Sequence, residues 1–340
     1  MESSPGDTTA AVDVLEHQDG LVRLVDLGGG RRLVEVEVHD PVAFVPSRTC
    51  ETGLPLDLIR AILDFKGPSQ LCYSLRREED PLDVQVILRY AVHGYVGEEA
   101  FAGARLLDFG CGSGASTMIL ARAMPDTEIV GIDLGEDMLA IAQMRAAHYG
   151  LGNVTFLQSP DPDGLPPGIG LFDYVSLSAV FEHMLPRERV GLLPQIWGLL
   201  RQDGILFLNQ TPHRYYPIEG HTTGLPLVNY LPDSLARLAA TRISGRVPRD
   251  AGWDDLLRAG LRGGTEREVM GILRGTDDGE PTLLAPSRLG LGDRVDIWYA
   301  YSTERRPSRA KRVVRPVLKA LGTVLGEAFA PDLNMAIQKR

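Results

Sequence analysis

The sequence predicts an α/β fold, a parallel sheet with helices on both faces, and three observations predict it. Five short apolar runs, RLLDF, EIVGI, VTFL, FDYVSL and GILFLN, recur between Arg105 and Asn209. Stretches of helical period separate them: ASTMILARAMP, GEDMLAIAQMRAAHYG and RERVGLLPQIWGLLR. The runs carry almost no polar alternation, as expected of strands buried on both faces by right-handed crossover helices.

The 340 residues are 44% hydrophobic and 24% charged, a composition that can bury a substantial core. No apolar run reaches the roughly 18 residues that would span a bilayer. Residues 1–12, MESSPGDTTAAV, lack a basic start and apolar core and read as a disordered N-terminus rather than a signal peptide. Three cysteines, Cys50, Cys72 and Cys111, share no metal or redox spacing, which fits a reducing, cytoplasmic setting. A net charge of −10 argues against a nucleic-acid partner, because such binding neutralises phosphates with Lys and Arg.

Element by element, residues 13–103 predict an N-terminal hairpin followed by a helical lid region. LVRLVDL and RLVEVEV flank GGGR, and Val34, Val36 and Val38 alternate with Glu35 and Glu37, as in a hairpin with one buried face. Helices follow at Leu56–Phe65 and near Gln70–Arg77. A longer one starts at Pro81, with Asp80 as its N-cap. Tyr73, Arg76 and Arg77 either face a ligand from this region or are surface residues.

The core is expected over 104–303, with a substrate-loop and helical insertion at 210–290. In it, TPHRYYPIEGHTTGLPLVNYLP reads as a functional loop. Helices are expected at Asp233–Ile243 and Thr265–Arg274, the second with capping-box spacing from Thr265 to Glu268. VDIWYAYS, Val295–Ser302, reads as a further strand. Residues 304–340 carry nine bases and three acids, a basic tail on an acidic body. PVLKALGTVLGEAFA predicts an amphipathic helix stopped by Pro331. It would dock on the body, on a second copy in a homodimer, or as a peripheral contact on anionic lipid.

The chemistry concentrates at LLDFGCGSG. Asp108 leaves the carboxyl end of a buried strand, the edge where open α/β sheets bind ligands. Gly110, Gly112 and Gly114 let the chain turn sharply and offer bare backbone to a ligand. An acid just before the first glycine suits a ligand with a positive group and would repel a pyrophosphate. The spacing G-x-G-x-G also differs from the dinucleotide G-x-G-x-x-G, which makes a nicotinamide-dependent dehydrogenase a poor match. Asp133, at the end of EIVGI, can take both hydroxyls of a ribose.

LLDFGCGSG followed by EIVGIDLGEDML resembles the class I S-adenosylmethionine-dependent methyltransferase family, over about Ala104 to Gln210. FDYVSLSAVFEHM resembles that family's fourth-strand segment, and LLRQDGILFLNQTP its fifth strand with the preceding turn. The resemblance implies a Rossmann-like, seven-stranded, mostly parallel sheet, which VDIWYAYS would close as an antiparallel strand; the N-terminal hairpin and helical appendage and the C-terminal helical tail read from the residues would be additions to it. It implies S-adenosylmethionine as cofactor. Asp108, Gly110, Gly112 and Gly114 match the loop at its methionine part, Asp133 the ribose acid, and Leu134 an adenine contact. Asp161, with Asp163 as its rival, matches the acid near the adenine amino group, and Ser178 and Ala179 would border the transferred methyl.

The expected activity is methyl transfer to a small-molecule, glycan or lipid-linked acceptor at a hydroxyl oxygen; the alternative is a cofactor-binding protein that transfers no methyl. A hydroxyl acceptor needs a base of near-neutral pKa, which makes His183, His213 and His221 the candidate catalytic residues. Arg214, Tyr215 and Tyr216 are candidates for lining an acceptor pocket. Glu182, His183, Glu219 and His221 could together offer metal ligands, but their spacing matches no ligand signature, and no metal is expected.

Overall fold

The computed structural model describes residues 12–40 and 43–340, and the chain divides into two units, one ending at Glu79 and the other beginning at Asp80. Of the N-terminus expected to be disordered, residues 1–11 lie outside the described residues; Val12 opens the first strand.

The first unit is a four-stranded antiparallel sheet, β1 (Val12–His17), β2 (Gly20–Gly28), β3 (Arg31–Val38) and β4 (Thr49–Thr52), in sequential order, followed by α1 (Leu56–Lys66) and α2 (Pro68–Glu79). The expected hairpin is β2–β3. Gly28, Gly29 and Gly30 all take positive φ, 81°, 61° and 79°, so the turn between the strands depends on residues without Cβ. Val22 pairs with Val36 and Leu24 with Val34, and all four side chains are buried on one face. Glu79 ends the unit by accepting the Gly53 N–H at 2.8 Å and the Thr52 hydroxyl.

In the second unit, Asp80 accepts the Leu82 N–H at 2.9 Å and starts a wide helical turn, Pro81–Gln85, that runs into α3 (Val86–His93). Then come β5 (Arg105–Phe109), α4 (Ala115–Ala123), β6 (Glu128–Asp133), α5 (Glu136–His148), β7 (Val154–Gln158), β8 (Phe172–Ser178), α6 (Pro186–Gly198) and β9 (Leu200–Pro212). After a long loop follow α7 (Asp233–Ile243), α8 (Trp253–Arg258), α9 (Glu266–Arg274), β10 (Pro281–Leu283), α10 (Arg294–Arg305), α11 (Arg309–Leu325) and β11 (Asp332–Lys339).

Seven strands form one sheet in the order β10-β11-β9-β8-β5-β6-β7. The run β9-β8-β5-β6-β7 is parallel throughout, while β11 is antiparallel to both β9 and β10. This is the Rossmann-like, mostly parallel sheet expected from the sequence. The chain order reverses beside β5, so the carboxyl ends of β5, β6 and β8 open a crevice at the switch point. Leu107, Val130, Val175, Leu206 and Ile337 are buried through the sheet, with Trp197 of α6 on one face and Phe101 and Phe207 on the other.

The closing strand is not the one expected. Val295–Ser302 belongs to α10, where Val295, Trp298 and Tyr301 recur at helical spacing and are buried. The β-branched and aromatic composition of VDIWYAYS imitates a strand, but Asp293 accepts the Asp296 N–H at 3.0 Å and caps a helix. The antiparallel strand is β11, inside the segment assigned from its charge to a helical tail. Its Leu333–Ile337 are all buried, and Lys339 donates to the carbonyls of Trp197 (3.2 Å) and Leu200 (3.0 Å) and pairs with Asp278 at 2.7 Å. The expected tail helix exists as α11, but it ends at Gly326 (φ 72°), before Pro331. α11 lies on α10: Leu318 is buried, and Arg315 and Lys319 both reach Asp296, at 2.8 and 2.6 Å. Among the described residues no helix is long and apolar enough to cross a membrane.

Candidate functional site

The loop after β5 is built on close approach. Gly110 has φ +68°, and a Cβ there would stand 2.8 Å from both methyl carbons of Val180. Gly114 has φ +84°, and its Cβ would meet that of Ala142 at 2.8 Å. Neither position admits a side chain without moving a neighbouring element. Gly114 is also the N-cap of α4 and brings no side-chain acceptor, so the first-turn N–H groups remain open to an external anion or carboxylate.

The two acids tie this loop to its neighbours. Asp108 is buried, 1% exposed, and accepts the Thr117 hydroxyl at 2.7 Å, linking β5 to α4. Burial pushes its carboxyl up to about 6, against the hydrogen bond from Thr117. Its side chain is thus turned inward, toward the loop's foundation. Asp133, at the tip of β6, accepts the Gly112 N–H at 2.8 Å through one oxygen and the Gly135 N–H at 3.0 Å through the other. Beside it, Leu134 is 46% exposed on the open edge. Asp161 is exposed and accepts the Asp163 N–H at 2.9 Å, so it organises a turn that Asp163 joins only through its backbone.

At the ends of β8 and β9 the backbone is strained. Ala179 and Gln210 both take positive φ, 56° and 61°, and the Ala179 N–H donates to the Asn209 carbonyl at 2.9 Å. Paired non-glycine residues in this region mark a geometry held by its surroundings, a common property of functional edges. The Gln210 amide donates to Ser178 Oγ at 2.6 Å, which fixes that buried hydroxyl. Gln210 and Thr117 were not singled out from the sequence: Gln210 lies within the quoted LLRQDGILFLNQTP without a distinguishing signal, and Thr117 is a polar side chain one turn past Gly114.

The three histidines separate into two groups. His183 and His221 come together with ring centroids 5.3 Å apart, and Glu182 joins them, its Oε1 3.8 Å from His183 Nε2. Glu182 is fully buried, accepts the Thr211 hydroxyl at 2.9 Å, and is pushed up by burial to about 7. His213 belongs to different surroundings, 1% exposed against Phe329 at 5.1 Å. Its Nδ1 accepts the Tyr215 N–H at 3.1 Å, and burial lowers its pKa to about 4. A neutral ring whose Nδ1 accepts carries its proton on Nε2, so His213 is a donor and a weak base at neutral pH.

Glu219, weighed as a ligand from the sequence, has another task. Its oxygens accept the N–H groups of His221 and Thr222, both at 2.9 Å, and of Thr223 at 2.6 Å, with the Thr223 hydroxyl also at 2.6 Å. It builds the loop that carries His221. Tyr216 packs near Phe329 with centroids 5.9 Å apart, Tyr215 is 43% exposed, and the Arg214 guanidinium lies 5.7 Å from the Tyr215 ring. Tyr73, Arg76 and Arg77 all belong to α2 of the first unit, where Arg77 donates to the Tyr73 hydroxyl at 3.0 Å.

Comparison with known proteins bears on the same segment. Residues 107–206 match the family model described as "Methyltransferase domain". A ubiquinone biosynthesis O-methyltransferase of Acinetobacter baumannii (strain ACICU) is 29% identical over 117 residues, 34% of this chain and 48% of that one. A trans-aconitate 2-methyltransferase of Yersinia pestis (strain Pestoides F) is 27% identical over 241 residues, 68% of this chain and 76% of that one. The chain thus spans about half the length of the first curated relatives it matches. Among solved structures, the plantazolicin methyltransferase BpumL in complex with SAH is 14% identical with a TM-score of 0.44, covering 84% of this chain and 95% of that one. The matched segment contains Asp108, the three loop glycines and Asp133, so the residues that carry the resemblance to class I S-adenosylmethionine-dependent methyltransferases lie within the part of the chain that matches a methyltransferase domain.

Proposed function

We propose that the protein is an S-adenosylmethionine-dependent methyltransferase acting on a hydroxyl oxygen of a small-molecule, glycan or lipid-linked acceptor. The observation that carries this reading is the side-chain-free cradle at Gly110 and Gly114 beside Asp133 and the uncapped start of α4. A carboxylate–ammonium ligand fits the α4 N-terminus, and ribose hydroxyls fit Asp133, which exchanges its backbone donors for them. Leu134 is exposed beside the position an adenine would take, with Asp161 as the polar group at its edge. Asp108 holds the loop in shape from below through Thr117.

When bound, the cofactor supplies an electrophilic sulfonium methyl. The protein's part is to align the acceptor and keep out water. Ser178, held by Gln210, borders the acceptor side of the crevice. Of the three histidines, His183 and His221 are the candidates for acceptor activation, because His213 is a buried donor of low basicity. The O-methyltransferase among the relatives supports an oxygen acceptor. α11 engages its own body through Leu318, Arg315 and Lys319, which favours that docking over a homodimer or a membrane contact. Three free, buried cysteines fit a cytoplasmic location.

Calorimetric titration with S-adenosylmethionine tests the first step. Incubation with methyl-labelled cofactor and fractionated cell extract tests the second. Absence of binding by folded protein overturns the reading; binding without label transfer reduces it to a cofactor-binding protein.

A further inference from the structure

We infer that Glu182, His183 and His221 form a binding site for one divalent transition-metal ion. One potential ligand atom from each lies within 4.8 Å of the others. Tetrahedral ligation at about 2.1 Å sets ligand atoms about 3.4 Å apart, so modest side-chain rotation closes the set.

Two hydrogen bonds orient the ligands. His183 Nδ1 lies 2.7 Å from the carbonyl oxygen of Arg258, and a carbonyl only accepts, so Nδ1 carries the proton. In the neutral ring the Nε2 lone pair is then the one directed to Glu182, at 3.8 Å. Metal-binding imidazoles are characteristically fixed this way, by a second nitrogen donating to a carbonyl or carboxylate. Thr211 performs the same service for Glu182, donating to Oε2 at 2.9 Å and leaving Oε1 as the inward oxygen.

That oxygen is the strongest indication. Glu182 is fully buried, and its Oε1 has no hydrogen-bond partner among the described residues. A buried acceptor without a donor costs free energy, and this one lies 3.8 Å from His183 Nε2. A bound cation would satisfy that oxygen.

The surroundings are shaped to hold His221 beside it. Gly260 has φ +97°, and a Cβ there would stand 2.5 Å from His221 Cδ2 and 3.3 Å from Glu182 Cγ. Bare backbone therefore walls the cluster on that side, and Glu219 anchors the backbone of the His221 loop.

Two imidazoles and one carboxylate favour zinc, cobalt, nickel or ferrous iron over magnesium or calcium. Three protein ligands leave a coordination position for an exogenous oxygen, the arrangement of reactive rather than structural sites. The inference concerns the acceptor side of the proposed methyltransferase but does not depend on methyl transfer, because metal binding is read directly.

The test uses the full chain, stripped with chelator, dialysed, and titrated with CoCl2 by visible absorption and with ZnCl2 by calorimetry. One equivalent per chain with a visible d–d band is expected. His183→Asn and His221→Asn should each weaken binding at least tenfold, and Thr211→Val by about 10- to 100-fold. Far-UV circular dichroism and S-adenosylmethionine titration of the same variants report whether they are folded. Wild-type protein that binds neither ion, or folded His183→Asn and His221→Asn proteins that bind both as wild type does, would overturn the site in favour of a proton shared by Glu182 and His183.

Discussion

Gly110→Ala isolates the physical reason for the cradle. The left-handed φ of +68° costs a non-glycine residue about 1–2 kcal/mol. The added methyl would lie 2.8 Å from both Val180 methyls, and overpacking of that kind adds about 1–3 kcal/mol. If bound cofactor requires the native loop, the sum of about 2–5 kcal/mol appears as an affinity loss of about 30-fold to a few thousand-fold. The control is Gly150→Ala, which has φ +64° and nothing within 4 Å of its Cβ, so only the backbone cost applies. Gly150 lies between α5 and β7, and its variant should bind S-adenosylmethionine as wild type while melting slightly lower. Calorimetric titration and thermal melts of both proteins give the comparison. Equal affinities for the two variants would refute the argument that steric closeness to Val180 makes the cradle.

Three further outcomes follow from the described contacts. Burial raises the Asp332 carboxyl from 3.8 to about 6 beside the Tyr301 hydroxyl at 2.7 Å, so the folded state binds its proton more tightly than the unfolded one. The stability this proton contributes is full below about 4 and is lost as pH rises through about 6. Asp332→Asn should therefore gain over wild type by no more than about 3 kcal/mol at pH 8 and by nothing at pH 4, read from urea midpoints across that range. His213 should stay neutral well below the usual histidine range and titrate near 4, visible as its ring resonances in NMR; a midpoint near 6.5 would contradict its burial against Phe329. Asp296→Ala removes a partner shared by Arg315 and Lys319 and leaves Lys319 only Asp293, at 2.8 Å, so it should speed proteolysis around residues 306–309 without changing cofactor affinity. Unchanged cleavage would mean that Leu318 and the Lys319–Asp293 pair suffice to secure α11.

The parallel part of the sheet was legible because five apolar runs and the helices between them carry different periods, which no other arrangement satisfies as well. The cradle was legible because positive φ demands glycine locally. Asp108 shows where local reading stops. Its type and position were apparent, but whether its carboxyl faces a ligand or Thr117 is decided by packing. α10 and β11 were misread for a related reason. VDIWYAYS has strand composition in a helix capped by Asp293, and the apolar LNMAI of β11 was overshadowed by the basic residues around it. The grouping of Glu182, His183 and His221 was illegible as spacing, since it depends on the loop that Glu219 ties and on the room left at Gly260. Chain separation carries no trace of such proximity.

The position of β11 has a consequence for biosynthesis. β9 ends at Pro212, yet the neighbour that covers its outer hydrogen-bonding edge starts only at Asp332. Throughout the synthesis of α7 to α11, a nascent chain therefore presents a 13-residue strand, apolar over Ile205–Leu208, with one row of amides and carbonyls unmatched. Association of ribosome-bound chains should rise once β9 emerges and fall when residues 332–339 are released. A peptide of that sequence, supplied to stalled chains, should suppress it.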